Sequence, residues 1–188
     1  MVIVLLVAGA LLMWGYSFAN STVHNQLAMQ QVYFPTRAEI VSAPATSTEI
    51  PPVIRPYLLP YAGQEVLTGP QAETYANHFI AEHLSEMPYN GVYAKVSAAA
   101  MAAPKGSAAA TKLSALETTV FQGTTLRAML LEAYGFWVFG QIAFWAGIAA
   151  FIAAGLLAVL VGFGFWHARR TPADVNIGGN TTRAQIAA

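Results

Sequence analysis

A run of 34 residues without a charged side chain, from Ala133 to Trp166, constrains this chain more than any other feature. The run is rich in Phe, Trp, Leu, Ile, Ala and Gly. A charge-free apolar run longer than 18 residues predicts a membrane-spanning helix. It is followed by His167, Arg169 and Arg170, a basic flank typical of the cytoplasmic side. The sequence therefore predicts an integral membrane protein.

The whole run is too long for one crossing of a bilayer. At 1.5 Å per residue it extends ~50 Å, whereas the hydrocarbon core is ~30 Å thick. We therefore divide the segment 133–166 into an outer aromatic belt, Tyr134 to Gln141, and a second transmembrane helix, Ile142 to Trp166. Residues 167–188 form a cytoplasmic tail, which we expect to be disordered because it is polar and rich in Gly, Asn and Thr.

A second apolar segment, residues 1–19, begins the chain and predicts the first transmembrane helix. Trp14, Tyr16 and Phe18 near its end are typical of a membrane interface. The distance from Met1 to Trp14 is only roughly 20 Å, so we expect either a natural start upstream of Met1 or a locally thinned bilayer. A cleaved signal peptide is the alternative, but the positively charged n-region is missing.

Composition agrees with a membrane protein and narrows the possible chemistry. Only 10% of the residues are charged, against about a quarter in soluble domains. The net charge is zero, which gives no reason to expect a nucleic-acid partner. There is no cysteine, so disulfides, thiolate metal sites and cysteine nucleophiles are excluded.

Residues 20–132 are predicted to form a mainly helical extracytoplasmic region. The first helix continues through residues 20–34 and stops before Pro35. Residues 35–60 hold six of the ten prolines and predict an extended strap. Thr68 and Gln71 match a capping box, which predicts a helix from there to Met87.

The long second helix is expected to begin outside the bilayer. Residues 97–112 are alanine-rich and interrupted by Pro104 and Gly106, which predicts short helices on either side of a flexible tip. Ser114 and Glu117 match a second capping box. Because no proline follows, we predict one continuous helix from about Ser114 to Trp166.

The one cluster of potential metal ligands comprises His78, Glu82, His83 and Glu86, to which His24 could add a further ligand. His78 and Glu82 share a helix face, but His83 points about 140° away from His78. A solvated polar face is the commoner meaning of this pattern, since a metal site needs three or four converging ligands. Arg127 and Glu132, just before the apolar run, are expected to anchor the helix at the interface. We assign no catalytic residue and no cofactor.

A stripe of small residues lies within the second span. Its members recur every four residues and are Ala146, Ala150, Ala154, Ala158 and Gly162. Small residues at this spacing allow helix backbones to approach closely in lipid. We predict a packing seam there, for a helix of this chain or of another protein. A weaker small face on the first helix, Ala8, Leu12, Gly15 and Ala19, could meet it.

Three short segments resemble a family of small, uncharacterised actinobacterial two-pass membrane proteins. They are Tyr61 to Gln64, Gln71 to Ala76, and Thr125 to Arg127 with Ala133 to Gly135. The resemblance implies two membrane helices flanking a helical extracytoplasmic region. Some of these proteins carry the label aromatic ring-opening dioxygenase LigA, but this chain shows no set of iron ligands that would support that activity.

Taken together, these patterns predict an all-α, two-pass protein of the plasma membrane with both ends in the cytoplasm. Our leading hypothesis is a non-catalytic accessory or scaffolding subunit of a larger complex, respiratory or monooxygenase, with membrane lipid and other integral membrane subunits as partners. The second is an extracytoplasmic ligand-binding or sensing module, whose pocket is enclosed by the helix bearing Tyr75 and Phe79 and by the strap. The third is a metal-dependent enzyme that uses His24, His78 and His83.

Overall fold

The computed structural model describes residues 1–170, which are mostly helical and include no β-strand. The α-helices are α1 (Val2–Ala28), α2 (Arg37–Ser42), α3 (Arg55–Leu58), α4 (Gly69–Thr74), α5 (Ala81–Glu86), α6 (Tyr93–Ala102) and α7 (Ala108–Arg170). Two 3-10 turns, Leu59–Tyr61 and Pro88–Gly91, and a π-helical segment, Tyr75–Ile80, complete them. Helices α1 and α7 are long and apolar enough to cross a membrane. The helical fold and two candidate spans are thus confirmed for the described residues.

The chain forms two compact units. Of the described residues, the first holds Met1–Leu12 and residues 145–170. Within it, Gly9 is buried against Phe151, since a Cβ on the glycine would lie 2.8 Å from the ring. Most large apolar side chains of this unit are exposed, which suits a surface in contact with lipid.

The second unit, Met13–Phe144, contains the helical region between the two candidate spans. Its apolar core is built around fully buried side chains, including Ile40, Leu58, Val66 and Ala72. Tyr75, Phe79 and Trp137 pack against this core and are themselves partly buried. The core joins segments that are distant in sequence, because loops, short helices and both long helices contribute to it.

Helix α1 ends earlier than expected. It stops at Ala28 rather than continuing to Phe34, and Gln31 adopts a left-handed φ of 51° in the turn that follows. The chain then runs antiparallel to residues 64–66, with the amide of Phe34 donating to the carbonyl of Gln64 at 2.9 Å. Burying Phe34 in the core is incompatible with a continuing helix, so tertiary packing overrides the helical pattern.

The strap is also not extended as predicted. It contains α2, α3 and a 3-10 turn, because Thr36 and Glu39 form a capping box that starts α2. Arg55 closes the loop between α2 and α3 by donating to the carbonyls of Ile50 at 3.1 Å and Pro44 at 2.7 Å. Proline at the first turn of α3 costs little because that amide needs no partner. The prolines of the strap therefore limit its helices to short lengths but do not prevent helix formation.

The capping box at Thr68 is confirmed. The Thr68 hydroxyl accepts from the Gln71 amide, and the Gln71 side chain accepts from the Thr68 amide at 3.0 Å. The helical stretch continues to Glu86, one residue short of the predicted end. Tyr89, Asn90 and Gly91 then take positive φ values and form a turn before α6.

Helix α7 begins earlier than predicted, at Ala108 instead of Ser114. Ser107 provides the cap, since its hydroxyl accepts from the Ala110 amide at 3.1 Å. Ser114 therefore lies inside the helix, and the capping box predicted there is wrong. The helix also extends past Trp166 to Arg170, so the first four residues of the predicted disordered tail are helical. The rest of that tail lies outside the described residues.

Candidate functional site

A groove in the second unit has a cavity volume of about 610 Å³. It lies between the second half of α1, the π-helical segment and the middle of α7. The α1 residues are Thr22, Val23, Gln26 and Leu27, and Gln30 follows in the turn after α1. The π-helical residues are Tyr75, Phe79 and Ile80; the α7 residues are Leu126, Met129, Leu130, Glu132, Ala133 and Phe136. Val32 and Val66 close one side. The volume is in the range of small-molecule sites.

Helix α1 gives the groove an apolar wall and a polar rim. Val23 and Leu27, four residues apart, are both buried. Gln26 and Gln30 have the same spacing and are exposed, with Thr22 half-buried one turn before them. Residues four apart share a helix face, so Thr22 and Gln26 lie on one side of α1. Gln30 lines the groove from the turn after Ala28, and these three residues form its polar row.

The π-helical segment supplies aromatic side chains from a widened turn. The Tyr75 ring packs on Phe79 at 4.7 Å between centroids and edge-on against Phe34 at 5.3 Å. Burial raises the pKa of Tyr75, so the phenol stays neutral. π-Helical turns are rare and frequently occur at functional sites, which distinguishes this segment from the rest of the helix.

Helix α7 forms the remaining wall. Leu130 and Ala133 face the core, whereas Leu126 and Met129 line the mouth and remain exposed. Glu132 is the one charged residue that lines the groove. An apolar interior with few polar groups suits an uncharged, mainly hydrocarbon ligand, because a buried anion would find no cation there.

The pocket expected from the sequence is only partly where it was predicted. Tyr75 and Phe79 line the groove, but none of the described strap residues 35–60 does. Strap residues instead line a second, more polar hollow of about 660 Å³ together with Phe79 and Tyr33. The carboxylate of Glu65 raises the pKa of Tyr33 there. Short helices fold the strap onto the core and away from the groove.

The candidate metal ligands serve other contacts. His78 stacks on Tyr57 with centroids 3.6 Å apart, and Nδ1 of His83 lies 2.6 Å from the Phe79 carbonyl oxygen. His24 is exposed on α1, and Glu82 is half-buried on α5. Among residues 1–170, no three His, Asp or Glu side chains form a group that could hold a metal ion. The structure thus does not bring His24, His78, Glu82 and His83 together.

A half-buried chain of polar side chains joins α7 to the segment that lines the groove. Nη2 of Arg127 donates to Oδ1 of Asn77 at 2.8 Å, and Nδ2 of Asn77 donates to Glu73 at 2.8 Å. Nε of Arg127 is buried without a hydrogen-bond partner. Arg127 therefore fixes the π-helical segment against α7. Its expected role as an interfacial anchor stays a prediction. Arg127 and Asn77 are 50 residues apart, so no local sequence pattern could predict their hydrogen bond.

The predicted small-residue seam is only partly covered in the structure. Ala154 is fully buried and Ala150 half-buried, whereas Ala146, Ala158 and Gly162 are exposed. In the second unit, α1 and α7 are in close contact at another pair of small residues: a Cβ on Gly140 would lie 3.0 Å from the Cβ of Ala19. The sequence pattern placed Ala19 on a small face but did not identify Gly140.

Aromatic side chains from α1 and α7 meet next to the groove. Tyr16 packs on Phe144 at 4.8 Å, and Phe18 meets Phe136 edge-on at 6.3 Å. Phe18 also stacks on Trp14 at 5.7 Å. Because Phe136 lines the groove as well, the aromatic cluster is continuous with one end of it.

Comparison with known proteins adds no relative: no protein family, no curated protein and no solved structure matches the chain. The resemblance to the actinobacterial two-pass family therefore stays a prediction. What is known of the site rests on its geometry.

Proposed function

We propose that the chain is a non-catalytic accessory subunit that binds other integral membrane subunits of a larger complex. Helices α1 and α7 hold it in the plasma membrane, with the middle region outside and Arg169 and Arg170 on the cytoplasmic side. The observation that carries this proposal is an exposed apolar stripe on α7. Its members are Phe121, Met129, Phe136 and Phe139.

The stripe extends beyond the reach of lipid. If Ile142 to Trp166 fills the bilayer core, Met129 lies ~20 Å and Phe121 ~30 Å from its outer edge along the helix. Their side chains are nevertheless 63% and 54% exposed. Large apolar side chains that stay exposed to water on one helix face mark a protein interaction site. Partly exposed Tyr93, whose ring lies 5.7 Å from that of Phe121, extends the surface onto α6.

The stripe can be tested by purification from native membranes in mild detergent. We expect the wild-type chain to migrate with partner subunits, and the double variant Phe121→Ser, Phe139→Ser to migrate alone, because both side chains are exposed and lie outside the groove. Met101→Ser is the matched control, because Met101 is 79% exposed on α6 outside the stripe. Mass spectrometry of the retained subunits distinguishes a respiratory from a monooxygenase complex. A wild-type chain that purifies alone, or a double variant that keeps its partners, contradicts the proposal.

The groove favours a second function, an extracytoplasmic module that binds or senses a ligand. Its volume and apolar lining are those of a small-molecule site. The two surfaces share Met129 and Phe136, whereas Phe121 and Phe139 belong to the stripe alone and Leu130 and Ala133 to the groove alone. Variants of each surface therefore separate them.

A further inference from the structure

We propose that the groove takes the hydrocarbon chain of an uncharged lipid, which enters from the outer leaflet of the membrane. This inference rests on the ligand-binding function and names its ligand class. It depends on three properties of the groove: its connection to the aromatic cluster, its length and its charge.

The groove opens where the membrane surface is expected. Along α7, Phe136 is the groove-lining residue nearest to the predicted span. It contacts Phe18, which in turn stacks on Trp14. Trp14 and Phe18 are more than half exposed, as expected of side chains in contact with an interface. An apolar chain passes from the leaflet along these rings into the groove without crossing water, so its transfer carries little desolvation cost.

The groove is elongated along α7. Its lining extends from Phe136 to Leu126, ten residues or ~15 Å of helix. Val23 and Leu27 on α1 run alongside, and Phe79 closes the opposite wall. An apolar groove of this length fits an extended chain better than a compact polar metabolite, because it offers dispersion contacts along the chain.

Charge selects the head group. Glu132 is the one charged side chain in the lining, which includes no Lys, Arg or His. Arg127, the nearest cation along α7, is engaged with Asn77. A phosphate or carboxylate head would meet Glu132 without a compensating cation. The row of Thr22, Gln26 and Gln30 offers hydroxyl and amide groups that suit the hydroxyls or carbonyls of an uncharged head.

The test uses the full chain in phosphatidylcholine nanodiscs with a monoacylglycerol that carries a photoactivatable diazirine in its acyl chain. We expect saturable labelling of peptides that contain Leu27 and Leu130, competed by unlabelled monoacylglycerol. A fatty acid with the same chain and diazirine should label more weakly, because Glu132 repels its carboxylate. A fatty amine with the same chain and diazirine tests whether Glu132 selects a cationic head instead. Labelling confined to residues 142–166, or stronger labelling by either charged probe, overturns the proposal.

Variants give the site its own control. Ala133→Phe fills the groove and should reduce saturable labelling about tenfold or more, since it removes the surface against which the chain is buried. Ala128→Phe makes the same change on the exposed face of α7, outside the lining, and should leave labelling unchanged. Leu126→Trp obstructs the mouth from an exposed position and should act like Ala133→Phe without disturbing the core.

The outcome is separable from that of the subunit proposal. Equal labelling of the wild type, Ala133→Phe and Leu126→Trp overturns the lipid site while leaving the exposed stripe untouched. If the groove variants instead release partner subunits and keep lipid labelling, the groove is a protein interface and the inference is wrong. Glu132→Gln should raise labelling by the fatty acid alone, because it removes the repulsion that excludes an anionic head. Unchanged fatty-acid labelling in that variant overturns the head-group argument.

Discussion

Gly69 occupies a position with no room for a side chain. A Cβ on it would lie 2.5 Å from both Cβ and Cγ of Trp137, where the start of α4 packs on α7. We expect Gly69→Ala to destabilise the protein by about 1–3 kcal/mol, because overpacking displaces the indole. Thermal unfolding followed by circular dichroism in detergent measures the effect.

Gly135→Ala is the matched change on α7. A Cβ there meets nothing within 4 Å, so the variant should gain stability by about 0.5–1 kcal/mol through the higher helix propensity of alanine. Equal melting temperatures for the two variants would show that α4 does not pack on Trp137 as described.

Glu39 gives a pH-dependent contribution to the stability of α2. The Thr36 backbone amide donates to the Glu39 carboxylate at 2.7 Å and the Thr36 hydroxyl at 2.8 Å, which together lower the pKa of Glu39. A lowered folded-state pKa means that this stabilisation is complete above the ordinary glutamate pKa and is lost as pH falls through the folded value. Carbon-13 NMR titration of the carboxyl group measures that pKa directly.

Thr36→Ala should raise the pKa of Glu39 only part of the way to its ordinary value. The substitution removes the hydroxyl donor but keeps the backbone amide, which is the larger cause of the lowering. In Glu39→Gln, melting temperatures should differ from wild type at neutral pH and converge with it in acid. A pKa unchanged by Thr36→Ala would mean that the hydroxyl does not reach the carboxylate.

At the scale of helices, α1 and α7 are in close contact within the second unit at Ala19 and Gly140. A side chain on Gly140 would press on Ala19 at 3.0 Å and on Asn20 at 3.5 Å. We expect Gly140→Leu to lower the melting temperature in detergent by several degrees, because it forces the two helices apart. Unchanged melting would place the contact between α1 and α7 elsewhere.

Gly162→Leu tests the predicted seam separately. Gly162 is exposed and a Cβ on it meets nothing within 4 Å, so the isolated chain should melt as the wild type does. If a partner helix packs on the seam, the same variant should lose that partner on native gels. Retention of all partners would indicate that this end of α7 faces lipid.

The sequence predicted elements where the deciding interactions are local. The capping box at Thr68 was found because its partners are three residues apart, and the long spans because apolarity alone identifies them. The end of α1 was missed because burial of Phe34 decides it, and that contact depends on residues 61 and 75. Helix α7 starts early because Ser107 follows a left-handed Gly106 and provides the cap.

At the scale of the molecule, the groove is a long-range product of the fold. Its walls come from α1, a segment around Tyr75 and α7, whose lining residues span positions 22 to 136. The helical spacing of Tyr75 and Phe79 was enough to predict that they share an apolar face and that this face is buried. Which elements would cover the face depends on how the strap folds, and its two short helices were not anticipated.

Membrane topology is the prediction that concerns the whole chain, and the absence of cysteine makes it simple to test. In the variant Lys105→Cys, the single cysteine lies in the turn between α6 and α7 and should react with a membrane-impermeant maleimide added to intact cells. A cysteine at Ala168, in the basic end of α7, should react only after the membrane is permeabilised, because Arg169 and Arg170 favour the cytoplasmic side. Both positions are exposed, so differences in labelling report the side of the membrane and not burial.

Ala154→Cys completes the set, because Ala154 is fully buried and should stay unlabelled under both conditions. If the Lys105 and Ala168 positions were labelled from the same side, α7 would cross the membrane either an even number of times or not at all. One continuous helix of 63 residues cannot turn back within the bilayer, so only the second possibility would remain. Such a result would therefore place α7 outside the bilayer. The exposed stripe and the groove would then need protein, and not lipid, to cover them.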